Sequence, residues 1–354
     1  MQNVARSKGL HRFSMLMFAL AAGTAGVLRA EEYAAPSPVY GYYEEGGLDA
    51  LSWLTGDLTV FTENGLTLFL GIGDADIGDP RLLAFLQEAQ RQGVEVRAWM
   101  LLPFEEGYWP NEYNAELFAE SVRRAVTWFR SEGLPIEWIV VDMELGYQKL
   151  MDLQAMALAG EYEAMVAALL GNLDRSHFVR ASVIFQDLVD ELHDRGFRVM
   201  VVTYPQVADD LADWDCSLQD LLDIPVSTVT WDEVSLMVYT SIYNDVGAYL
   251  GVTFGPGLVY SYARSTMDWV GPSYASIALG VAGDMAGADE LAAEVAAAKA
   301  AGIDRIQVYS YHGVRLKEDP QAWIDAFLAP AEAPPPEPAT EAMRSLLRFA
   351  DRLL

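Results

Sequence analysis

The stretch Ile136-Glu137-Trp138-Ile139-Val140-Val141-Asp142-Met143-Glu144 decides the fold of this 354-residue chain. It is an apolar run that closes on two acids spaced i and i+2. Successive side chains of a strand point to opposite faces, so Asp142 and Glu144 share one face, roughly 6.5–7 Å apart along the backbone. A run that is apolar without alternation is the mark of a parallel strand covered on both sides. Two carboxylates aimed the same way at its end have a use if the strand belongs to a barrel, because they then stand in the mouth.

Working outward, seven further short runs rich in Val, Ile, Leu, Met or Tyr complete a set of eight, at 39–43, 67–71, 96–102, 136–143, 199–204, 234–239, 277–281 and 306–311. Helical patterns lie between them. One opens at Asp79-Pro80, one at Asn114, one at Ser176 with Val179, Val183, Ile184, Leu188, Val189 and Leu192 at helical spacing, and one at Asp289. Each of these four ends in a glycine just before the next strand: Gly93, Gly133, Gly196 and Gly302, in the position of a helix C-cap. The connection from the fourth to the fifth strand is long enough for two helices, over 148–170 and 176–196. Eight strands alternating with helices predict an α/β fold, a (β/α)8 TIM barrel. A doubly wound open sheet is the alternative. It lacks support after the first strand, where Glu44-Glu45-Gly46-Gly47 is acidic and would repel a phosphate.

The barrel is assigned to residues 31–328, between two distinct ends. Residues 1–30 read as a signal peptide. Arg6, Lys8, His11 and Arg12 form a basic start, about 16 apolar residues follow, and Leu28-Arg29-Ala30 precedes Glu31-Glu32. That apolar run is short of the ~20 residues needed to span a bilayer. The expectation is a secreted or periplasmic protein with no stable membrane insertion. At the other end, 329–340 is a Pro-rich linker and 341–354 an amphipathic helix with Met343, Leu346, Leu347 and Leu353 on one side.

The formal net charge is −28. So acidic a surface repels nucleic acid and anionic membrane, and suits neutral or cationic ligands. Cys216 is the only cysteine, which excludes an intramolecular disulfide, and it has no metal-ligand spacing around it. The four histidines stand at 11, 177, 193 and 312, which excludes a His-built metal centre, so no metal and no cofactor are expected. No G-x-S-x-G elbow is present for a serine triad.

Active sites of such barrels lie at the C-terminal ends of the strands. Those ends carry Tyr42, Trp99, Glu105, Trp109, Asp142, Glu144, Tyr147, Tyr204, Met237, Tyr239, Tyr309, Tyr311 and His312. The set is rich in aromatics and acids. Aromatic faces stack on sugar rings, and carboxylates bind hydroxyls or move protons. A phosphorylated substrate would call for Arg, Lys or a Gly-rich nest. The reading is a carbohydrate-binding mouth with Asp142 and Glu144 as its reactive pair.

The end of the fourth strand resembles that of family 18 glycoside hydrolases, the chitinases and endo-β-N-acetylglucosaminidases, whose signature there is D-x-x-D-x-D-x-E. Asp142 and Glu144 match its last two acids, Glu137 replaces its first, and Val140 stands in place of the second. Met237-Val238-Tyr239 is similar to the family's M-x-Y on strand six, and 306–311 is loosely similar to its strand eight without the usual Trp. The strand-three S-x-G-G is absent; Arg97-Ala98-Trp99-Met100 is found there. The D-x-E ending is also similar to family 25 lysozymes.

The resemblance implies hydrolysis of β-linked N-acetylated sugars. Glu144 would be the general acid, Asp142 would orient and stabilise the substrate's 2-acetamido group as it attacks, and Tyr239 would donate a hydrogen bond to it. Neighbouring carboxylates on one strand suit that substrate-assisted course better than flanking a bond from two sides. Two alternatives stand beside it. One is a barrel that binds carbohydrate without catalysis. The other is a glycosidase of another class that pairs Glu144 with a second acid from Glu105, Glu106 or Asp284.

Overall fold

Each of the eight apolar runs becomes a strand, and the strands pair in chain order. In the computed structural model, which describes residues 38–211 and 215–353, they are β1 Val39–Glu44, β2 Thr67–Gly73, β3 Val96–Leu101, β4 Trp138–Met143, β5 Arg198–Thr203, β6 Glu233–Val238, β7 Ala275–Gly280 and β8 Arg305–Tyr309. All neighbours are parallel, and β8 returns to β1 with Val39 opposite Arg305, so the sheet closes into a barrel. The signal-peptide assignment lies outside the described residues. No helix among the described residues is long and apolar enough to cross a membrane.

Local chemistry sets the helix ends. Asp79 caps Pro80–Gln92 by accepting from the Arg81 N–H at 2.7 Å, with Pro80 in the first turn, where its missing N–H costs nothing. Gly93, Gly133, Gly196 and Gly302 all take positive φ, as the C-cap reading requires. Two readings need correction. Residues 148–170 form not one helix but two, Tyr147–Leu158 and Tyr162–Leu170, because Gly160 turns the chain at φ 74°. In Arg175–Asp194 the core stripe runs through Phe178, Ala181, Phe185 and Leu188, while Val179 and Val183 face solvent.

The floor of the barrel is charged. Arg97 on β3 reaches Glu233 on β6 at 3.1 Å and lies over the Trp138 ring at 4.2 Å, and Arg305 on β8 approaches the same carboxylate at 3.5 Å. Above this triad Ser235 donates to Gln307 at 3.0 Å. Alternation then carries the inward face of each strand up to the mouth.

The C-terminal helix spans Pro338–Asp351, three residues earlier at its start than the sequence reading. It docks through Thr340, Arg344, Leu347, Ala350 and Asp351, whereas Leu346, Phe349 and Leu353 are exposed. The docking face is not the apolar stripe because a buried anion, Asp209, recruits Arg344 and Arg348 with Nε–Oδ1 distances of 2.8 and 3.0 Å.

Candidate active site

On β4 the parity that turns Trp138 toward the floor triad also turns Val140, Asp142 and then Glu144 inward. Val140 packs in the layer beneath the acids, opposite Trp99 of β3 in the register. Asp142 and Glu144 retain only 5% and 4% of their surface. The loop after β3 helps to cover them: Trp109 is buried, and the Glu144 N–H donates to the Pro110 carbonyl at 3.3 Å.

Burial penalises the charged forms and pushes both carboxyls up. Asp142 is held well above the usual range by burial, then by the Glu144 and Glu45 charges, with the Trp99 indole opposing. Glu144 is pushed up to about 8 by burial and by Glu45, with Tyr204 opposing. The pair therefore carries at least one proton at neutral pH, as a proton donor must. The Tyr43 hydroxyl, also buried, has no hydrogen-bond partner among the described residues. Such a group costs about 1–3 kcal/mol when left unmade, which leaves it open to a polar ligand.

Aromatic rings surround the acids. Tyr43 meets Trp99 edge-on at 5.3 Å, Trp99 meets Tyr309 at 6.4 Å, and Tyr309 stacks on Tyr239 at 6.2 Å. The Tyr239 hydroxyl feels both the Asp142 and Glu144 charges, which along with burial raise it well above the usual phenol range. A third carboxylate joins them. Glu45, one residue past β1, accepts from the Tyr108 hydroxyl at 2.6 Å through Oε1 and from the Tyr309 hydroxyl through Oε2. Sequence reading passed over it. The signal was present, since Tyr43 and Glu45 stand i and i+2 at a strand end, as Asp142 and Glu144 do.

The glycoside hydrolase domain of PgaB (BpsB) from Bordetella bronchiseptica shares this fold. It superposes with a TM-score of 0.50 at 11% identity, over 84% of this chain and 100% of that domain. A structure of L-ribulose 3-epimerase gives 0.46 at 13% identity, over 90% of this chain and 96% of that one. At such identities the first likeness speaks for the barrel alone, and the second adds nothing to it. No family model and no curated protein matches the sequence.

The residues singled out from sequence divide by parity. Trp99, Asp142, Glu144, Tyr204, Tyr239 and Tyr309 come together on the inner face, with Met237 beneath Tyr239 on β6. Trp109 and Tyr147 stand 6.3 Å apart beside them, with Tyr108. Tyr42 and Tyr311 do not join them. Tyr42 points into the helix layer, donates to the Trp323 carbonyl at 3.1 Å and packs on Phe327, so Tyr43 takes the mouth position instead. Tyr311 packs on Phe61 at 4.8 Å in the same layer. His312 lies on Trp53 at the rim, its backbone N–H donating to Glu44 at 3.0 Å. Glu105 and Glu106 are solvent-exposed on their loop, and Asp284 is half-buried on the loop after β7.

The raised carboxyls have a consequence for stability. Glu44 and Asp223 are pushed up to about 7 and Glu112 to about 8, each chiefly by burial, in the same direction as Asp142 and Glu144. An unfolded chain releases these protons at about pH 4–5. Between about pH 5 and 8 the native state therefore binds more protons than the unfolded one, and stability falls as pH rises. The thermal midpoint should be lower at pH 8 than at pH 5.5; a higher midpoint at pH 8 would contradict the burial of these groups as ionisable carboxyls.

Proposed function

We propose that this protein is a glycoside hydrolase with Glu144 as the general acid, acting on β-linked N-acetylated sugars. The observation that carries the reading is the pairing of two inward carboxyls that retain a proton near neutrality with a ring of aromatic side chains. Glu144 protonates the leaving glycosidic oxygen. The Asp142 charge reaches the Tyr239 hydroxyl, and the two would hold the substrate acetamide between a carboxylate and a phenol O–H. Val140 supplies packing beneath Asp142 where a further acid would add charge. The export signal read at residues 1–30 would place this activity outside the cytoplasm.

The test is hydrolysis of a chromogenic N-acetylglucosamine oligomer, with Asp142→Asn beside the wild type. The substitution removes the carboxylate that would orient the substrate acetamide, so kcat should fall by about 10²-fold. A rate within tenfold of the wild type would detach Asp142 from the catalytic pair. Sugar binding by the wild type without any turnover would favour a carbohydrate-binding barrel over an enzyme.

A further inference from the structure

We propose that Glu45 is a further catalytic carboxylate of this site, the base that takes a proton from the hydrolytic water, so that β-glycosides lacking a 2-acetamido group are also substrates. The inference rests on the glycosidase reading above and deepens it. Glu45 follows β1 and Glu144 follows β4, three strands away around a ring of eight, so the two approach the mouth from different sides. That is the placement a two-carboxylate hydrolysis requires and that Asp142, on the same strand as Glu144, lacks. Two phenol hydroxyls from separate elements, Tyr108 after β3 and Tyr309 on β8, donate to its two oxygens and fix the plane of the carboxylate. Glu45 also acts electrostatically on Asp142, Glu144 and Tyr239, and the Tyr309 ring whose hydroxyl donates to it stacks on Tyr239 at 6.2 Å.

In the proposed step the Glu144 proton passes to the glycosidic oxygen as its bond to C1 breaks. The water oxygen bonds to C1, and the water's proton passes to Glu45. Exchange with solvent afterwards returns a proton to Glu144 and frees Glu45. Attack from the side opposite the leaving group inverts the anomeric centre.

The experiment compares 4-nitrophenyl β-glucoside with 4-nitrophenyl N-acetyl-β-glucosaminide for the wild type, Glu45→Gln and Glu45→Asp across about pH 4–9. The wild type should cleave both, with inversion on the glucoside. Glu45→Gln should lose about 10²-fold or more on the glucoside, and the alkaline limb set by Asp142 and Glu144 should move to lower pH because the Glu45 charge that raises both is gone. Glu45→Asp, which keeps a carboxylate, should recover part of the rate and return that limb toward its wild-type position. Among the described residues Tyr108, Tyr309, Tyr239, Asp142, Glu144 and the adjacent Glu44 interact with Glu45, and none other than Glu45 is removed in this comparison. A wild type that cleaves only the acetamido substrate, a retained anomer, or a Glu45→Gln rate on the glucoside within tenfold of the wild type would overturn the proposal and leave the glycosidase reading standing. Cleavage of neither substrate would overturn both.

Discussion

Glu144→Gln should lower kcat on a chromogenic N-acetylglucosamine oligomer by about 10²–10⁴-fold, the worth of a positioned general acid, with the sugar affinity nearly unchanged. The amide keeps the shape of the side chain, and it can still meet Tyr204, but it has no acidic proton to give. Loss of fold is the competing explanation for a dead variant, and the environment of Glu144 separates the two. Its carboxyl is pushed up to about 8 by burial, so at pH 8 and above the wild type bears the cost of an ionised buried group. The neutral amide does not. Glu144→Gln should therefore match or exceed the wild type in thermal stability at high pH while being inactive. A variant that keeps more than a tenth of the wild-type rate would remove Glu144 from the acid role. So would one whose loss of rate tracks a loss of stability.

The sequence carried the strand order, because eight apolar runs punctuated by positive-φ glycines admit few other architectures. It also carried the acid pair, since parity at a strand end follows from the chain alone. Parity was harder to read where a strand end holds adjacent tyrosines. Tyr42 and Tyr43 have the same composition signal, and only pairing with the neighbouring strands tells which faces inward. Glu45 was passed over because it follows the strand in an acidic turn, where a solvated face is the ordinary reading; what marks it is two hydroxyls from residues 63 and 264 positions away. The charged floor was equally hidden. Arg97, Glu233 and Arg305 each sit at a strand start, where a charge looks exposed until the barrel closes over it. The tail helix follows the same logic. Its apolar stripe suggested one face, and a buried charge from 135 positions upstream selected another.

Arg344→Ala should destabilise the fold by about 3 kcal/mol or more, the cost of removing one partner from a buried ion pair. Asp209 is fully buried, and Arg344 is 3% exposed. Its guanidinium bonds Asp209, stacks over the Tyr262 ring at 4.2 Å, and donates to Ser261 and Ser265. Tyr262 donates to the other Asp209 oxygen at 2.8 Å. Removing the guanidinium leaves that carboxylate with Arg348, which is one-third exposed and makes a longer bond. The penalty comes from a stranded charge more than from a lost contact. Asp209→Asn in the Arg344→Ala background should then recover part of the loss, giving a coupling energy of about 1–3 kcal/mol in a double-mutant cycle by denaturant unfolding. Additive effects would mean that the two side chains do not depend on each other and that the helix docks through Leu347 and Ala350 alone. The network runs on from Asp209 through Tyr262 and Tyr243 to Gln206, two residues beyond the Tyr204 that lies beside Glu144. The helix thus braces the wall behind Asp142 and Glu144. Its loss should therefore appear in the unfolding free energy, while sugar binding by the protein that remains folded should stay that of the wild type.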